Sequence, residues 1–101
     1  MSTEVDDQFY DRADAIIHLA NDQLENIGSG KVSASLMYAT ARFNAWVSAL
    51  GFPDGAQMAA ERQRTIDYFV AQYRSMLEKN LDDYIRKFPE YMKPENKTDW
   101  Q

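Results

Sequence analysis

Apolar residues recur at helical spacing along most of this chain. Phe9, Ala13, Ile16, Ile17, Ala20, Leu24 and Ile27 fall three and four residues apart, which predicts an amphipathic helix from about Asp6 to Ile27. Asp6 and Asp7 stand where acids favour a helix start, near the positive end of the macrodipole. Gly28-Ser29-Gly30 predicts its end, with glycine taking the left-handed closing conformation. A second helix is expected from Ser33 or Ser35, either a good N-cap, to Leu50. The segment Val32–Leu50 is apolar around most of its circumference, the pattern of a helix buried on several sides. Residues placed at ~100° intervals sort into faces. Leu36, Ala39, Phe43, Trp46, Val47 and Leu50 form a bulky core face, and Ala34, Tyr38, Ala41, Ala45 and Ala49 a mostly small one. Ser33, Thr40, Asn44 and Ser48 make a polar seam between them, with Arg42 on the opposite border beside Trp46.

Gly51-Phe52-Pro53-Asp54-Gly55 reads as a turn, and Asp54 with Gln57 three residues on resembles a capping box. The third helix is expected to run from there to about Phe88, where Pro89 stops it. Ala59, Ile66, Phe69, Val70, Tyr73, Leu77, Leu81, Tyr84 and Phe88 make its stripe. On its outer face Arg74 pairs with Glu78 and Asp82 with Arg86, four residues apart. These elements predict an all-α fold, a three-helix antiparallel bundle in one domain over residues 1–101, with 1–5 and 90–101 as loose termini.

The expected lengths do not match. At ~1.5 Å per residue the first two helices span roughly 25–33 Å and the third nearly 50 Å. That leaves Leu81, Tyr84, Ile85 and Phe88 beyond the reach of the first two helices. Three arrangements would cover them. A second copy could pack there as a two-fold dimer. The helix could break near Asn80, giving a fourth short helix that folds back. The tail could return with Tyr91, Met92 and Trp100. The homodimer is the reading adopted here.

Charge and composition narrow the function classes. Through Ile27 there are seven acids against one base, so the net charge of -5 is carried by the first helix. An acidic surface repels phosphate backbones and anionic lipid, so neither nucleic acid nor a membrane is the expected partner. No run approaches the ~18 apolar residues of a membrane span. The acidic start carries no secretory or transit pattern, and the expected location is the cytoplasm. With no cysteine, a disulfide scaffold, a thiolate zinc site and a cysteine nucleophile are excluded.

Little of the remaining chemistry points to a reaction. Asp14, His18 and Asp22 share one helix flank, but His18 is the single histidine and helical di-metal sites need a Glu-x-x-His unit on two helices. No metal and no cofactor are expected. Ser29 has no preceding strand to make a nucleophile elbow, and Lys31-Val32 does not continue a phosphate loop. No carboxylate lies in an apolar stretch that would raise its pKa for acid catalysis, so the pattern points away from an enzyme. Arg42, bordering an apolar face, invites an ion pair with Asp14 or Asp22 that fixes helix register. In the alternative it holds a ligand carboxylate or phosphate. Asp14, His18, Asn21, Arg42 and Asn44 are the candidates for ligand or partner contact, and Leu81, Tyr84, Ile85 and Phe88 for self-association. The expected protein is a small interaction or regulatory protein, with an anionic-ligand binder as the alternative.

Four stretches carry a family resemblance. They are Phe9–Ala15 with Leu19-Ala20-Asn21, Tyr38–Trp46, Tyr68-Phe69 through Tyr73–Leu77, and Asn80–Ile85. Together they resemble a small proteobacterial family catalogued as a domain of unknown function, from about Phe9 to Phe88. The ARFNAW and NLDDY segments are its most distinctive parts. The resemblance implies a bacterial, cytoplasmic protein and brings no activity, cofactor or catalytic residue. The matching segments include Asp14, Asn21, Arg42 and Asn44.

Overall fold

The computed structural model describes residues 5–93. They form five α-helices and one 3₁₀ turn, with no strand among them, as the all-α pattern predicts. These are α1 (Phe9–Asp22), the 3₁₀ turn Gln23–Glu25, α2 (Ser29–Ala49), α3 (Gly55–Ala60), α4 (Arg62–Arg86) and α5 (Phe88–Tyr91). The chain divides into two compact units, one up to Trp46 and one from Val47 on. Each is described by itself.

In the first unit, Asp6 organises the start of α1. Its Oδ1 accepts the Gln8 N–H at 2.9 Å and its backbone carbonyl accepts the Phe9 N–H at 3.2 Å. The other carboxylate oxygen holds Arg12 Nη2 at 2.9 Å, one turn into the helix. The inward face of α1 carries Phe9, Ala13, Ile17 and Ala20, all half-buried and all on the predicted stripe, whereas Ile16, Leu24 and Ile27 are exposed. The helix end differs from expectation. No glycine has a positive φ, and α1 closes instead through the 3₁₀ turn, where the Gln23 N–H donates to the Ala20 carbonyl. A tightened last turn satisfies the terminal carbonyls without a left-handed residue. The second helix then starts before Ser33, because the Lys31 and Val32 N–H groups both donate to the Gly28 carbonyl, at 3.1 and 3.3 Å.

The faces of α2 are the main departure from the sequence pattern. Val32 and Ser48 are the two buried residues among those described, and Leu36, Asn44 and Val47 are half-buried. The inward face is thus rotated toward the polar seam. Phe43, Trp46 and Leu50, expected in the core, are 62%, 57% and 67% exposed. Thr40 turns its hydroxyl onto its own helix, donating to the Leu36 carbonyl at 2.9 Å.

In the second unit, Asp54 caps α3 as predicted, its Oδ1 accepting the Gln57 N–H at 2.9 Å. The long third helix of the sequence pattern is divided, but not at Asn80. Asn80 Nδ2 donates to the Met76 carbonyl at 2.8 Å, so its side chain is tied to the turn before it and caps nothing. The break falls at Glu61, whose backbone (φ -102, ψ 9) leaves the helical region between α3 and α4. A second break falls at Lys87, and Pro89 lies in the first turn of α5. The i−4 clash that bars proline from a helix interior makes a new helix start its natural place. Of the sequence-stripe residues, Phe69 and Tyr84 are half-buried while Ile66, Val70, Tyr73, Leu77 and Leu81 are exposed.

Removing the α3 cap is expected to cost about 1 kcal/mol, the usual loss for an N-cap acid replaced by alanine. Urea unfolding of Asp54→Ala against the parent checks this, with Asp54→Asn retaining most of the stability; equal midpoints for all three would show the cap to be inert.

Candidate functional site

The polar residues singled out in the sequence differ in burial. Asp14 and Asn21 are half-buried and share the inward face of α1, two turns apart, beside Ala13, Ile17 and Ala20. Asn44 is half-buried on α2. His18 and Arg42 are exposed. The expected Arg42 ion pair with Asp14 or Asp22 is not formed: the ion pairs among the described residues are Arg12–Asp6, Arg64–Glu61 and Arg86–Asp83. No group of three His, Asp or Glu side chains among the described residues is placed to hold a metal ion. A shallow depression, open to solvent, is lined by Asp6, Asp7, Gln8 and Arg12. The Asp6 carboxyl there lies below its ordinary value, chiefly through the Arg12 hydrogen bond and then the Gln8 N–H. Both partners of that contact are more than half exposed, so it orders the helix start without making a binding site.

The feature that stands out is apolar and lies on α4. Ile66, Val70, Tyr73, Leu77 and Leu81 are exposed in succession, Tyr84 is half-buried, and Ile85 and Phe88 are 72% and 59% exposed. The half-buried side of α4 is a different one, made by Thr65, Tyr68, Phe69 and Gln72. So the half-buried residues of α4 are a mixed set, and most of its large aliphatic side chains are exposed. Sequence reasoning identified the C-terminal part of this ridge, Leu81, Tyr84, Ile85 and Phe88, but assigned Ile66 to Leu77 to the core. Their spacing shows that they share a face and carries no signal of whether that face is covered.

A polar latch closes the C-terminal end of the ridge. Asp83 Oδ1 accepts Arg86 Nη2 at 2.7 Å and Asp83 Oδ2 accepts the Tyr91 hydroxyl at 2.9 Å. This places the Tyr91 ring 4.8 Å from that of Tyr84, centroid to centroid, with Lys87 Nζ 5.9 Å over Tyr91. The sequence expectation paired Arg86 with Asp82; the structure pairs it with Asp83, three residues back. The expected Arg74–Glu78 pair is also absent among the described residues. Of the tail expected to cover this end, Tyr91 lies against Tyr84 and Met92 is half-buried, while Trp100 lies outside the described residues.

The described residues make an all-helical chain with exposed apolar side chains along α4. Residues 9–85 match the family described as Protein of unknown function (DUF3144), and the chain belongs to that family. It is also similar to a structure determined by NMR, that of the protein NB7890A from Shewanella sp, at 44% identity and a TM-score of 0.74. That likeness covers 86% of this chain and 93% of the other. None of the curated proteins matches the chain. No helix among the described residues is long and apolar enough to cross a membrane.

Two substitutions test this description of the polar residues. Arg12→Ala is expected to move the Asp6 titration upward, toward the ordinary carboxylate value, in an NMR pH series. The sign follows from linkage: a depressed carboxylate adds stability above its unfolded-state value and loses it as pH falls through the folded one. Arg42→Ala is expected to change stability by no more than ~0.5 kcal/mol, because it removes no ion pair; a large drop in melting temperature would show that Arg42 is structural after all.

Proposed function

We propose that this protein is a small, acidic, self-associating interaction or regulatory protein of the bacterial cytoplasm. In this reading three helices of each chain form a bundle, and a second copy covers apolar surface that the chain leaves exposed. The observation that carries this reading is the exposed ridge of α4. Each Å² of apolar surface left in water forgoes roughly 25 cal/mol, and contiguous patches beyond a few hundred Å² mark association surfaces. The exposed Phe43 and Trp46, whose ring centroids lie 5.6 Å apart on α2, offer a second surface for a different protein.

A second reading rests on Arg42. Its exposed guanidinium pairs with no carboxylate among the described residues, which suits a ligand carboxylate or phosphate. The two readings separate in solution. Light scattering across a dilution series is expected to give twice the chain mass of 11.7 kDa at micromolar concentration. A monomer throughout that series would remove self-association, and stabilisation by an anionic metabolite that is lost in Arg42→Ala would then favour the binder.

A further inference from the structure

We infer that α5 is a strap that opens and closes on α4 at Lys87 without unfolding it, with the Tyr91 hydroxyl on Asp83 as its fastening. The groups involved all lie in the unit from Val47 on, and the motion is independent of the self-association reading above. The backbone separates the two helices at this point. α4 closes with the Lys87 N–H donating to the Asp83 carbonyl at 3.0 Å. The bonds of α5 start anew. The Glu90 and Tyr91 N–H groups both donate to the Lys87 carbonyl, at 3.0 and 3.1 Å, and the Met92 N–H donates to the Phe88 carbonyl at 3.0 Å. Pro89 has no N–H, so it cannot hand the ladder of α4 on to α5. Lys87 itself leaves the helical region, at φ -111 and ψ 25. These bonds of α5 are made within Lys87–Met92, so opening the segment takes none of them from α4.

The described contacts that fasten the segment to α4 run through Tyr91. Its hydroxyl donates to Asp83 Oδ2 at 2.9 Å, its ring lies 4.8 Å from that of Tyr84 between centroids, and Lys87 Nζ stands 5.9 Å over the same ring. α5 has four residues, far fewer than the about 12–15 at which a helix alone in water becomes even marginal. Once Tyr91 lets go, the turn unravels. Asp83 keeps that release cheap. Its carboxylate gives up the hydroxyl but retains Arg86 Nη2 on Oδ1 at 2.7 Å, an ion pair made within α4. No charge loses its partner, and the freed Oδ2 turns to water. Opening costs one hydrogen bond and the contacts of one ring, a small part of what unfolding the whole unit costs. It uncovers the side of the Tyr84 ring that Tyr91 covers, while the helix that carries Tyr84 stays formed.

Amide hydrogen exchange on the full chain, followed by NMR at a series of low urea concentrations, tests the strap. In the parent, the Tyr91 and Met92 amides are expected to be protected, but to exchange faster than those of Leu77 and Leu81 in the body of α4. Their rates should scarcely depend on urea, because local opening exposes little surface. Two variants then separate local opening from global unfolding. Tyr91→Phe removes the hydroxyl and keeps the ring, and is expected to speed Tyr91-position and Met92 exchange roughly tenfold. Asp54→Ala, at the far end of the unit, is expected to speed Leu77 and Leu81 by about fivefold, the equivalent of a lost N-cap, and to leave Met92 unchanged. Met92 exchanging with the rate and urea dependence of Leu77 overturns the inference, as does an equal response of both to Asp54→Ala, since α5 then belongs to one cooperative unit with α4. Unprotected α5 amides in the parent overturn it too, because the strap would not be closed. Unchanged exchange in Tyr91→Phe, or loss of its helicity altogether, shows that the hydroxyl is no fastening of a strap.

Discussion

The structure depends on one constraint: α4 carries more apolar surface than its short neighbours α3 and α5 cover. A helix of 25 residues is ~37 Å long, and its aliphatic side chains occupy the side opposite the face that is half-buried. Short neighbours follow from this. α3 and α5 have six and four residues, so each covers one end of the long helix and leaves the middle open. The Asp83–Tyr91 hydrogen bond fixes α5 at one end, while Asp54 starts the segment that meets the other. The stability of these contacts is local.

Much of the helical content was legible from spacing alone. The α1 stripe, the turn at Pro53 and the Asp54 cap all follow from residue type and periodicity, because each is decided within a few residues. Helix ends were less legible. Gly28 suggested a left-handed close, yet a 3₁₀ turn satisfied the same carbonyls, and nothing in the sequence distinguishes these two solutions. Asn80 was a reasonable cap by residue type, but its amide bonds to Met76, and a side chain's choice between the turn before and the turn after is not written in its identity.

The candidate site was less legible still, and for a physical reason. Periodicity shows which residues share a face; it does not show whether that face meets the same chain or another. Phe43 and Trp46 on α2 and Ile66 to Leu77 on α4 read as core by their bulk, and they are exposed. Ser48 and Asn44 read as a polar seam, and they are buried and half-buried. The charges were misread in the same way. Arg42, bordering an apolar face, was expected to pair with a carboxylate, but it is exposed and enters no ion pair among the described residues.

Asp83 has a consequence for the joint at Lys87. Its one carboxylate takes a hydrogen bond from Arg86 on α4 and another from Tyr91 on α5. The bend between the two helices is thereby pinned on both sides by a single side chain, so a change at that position is felt by both helices at once.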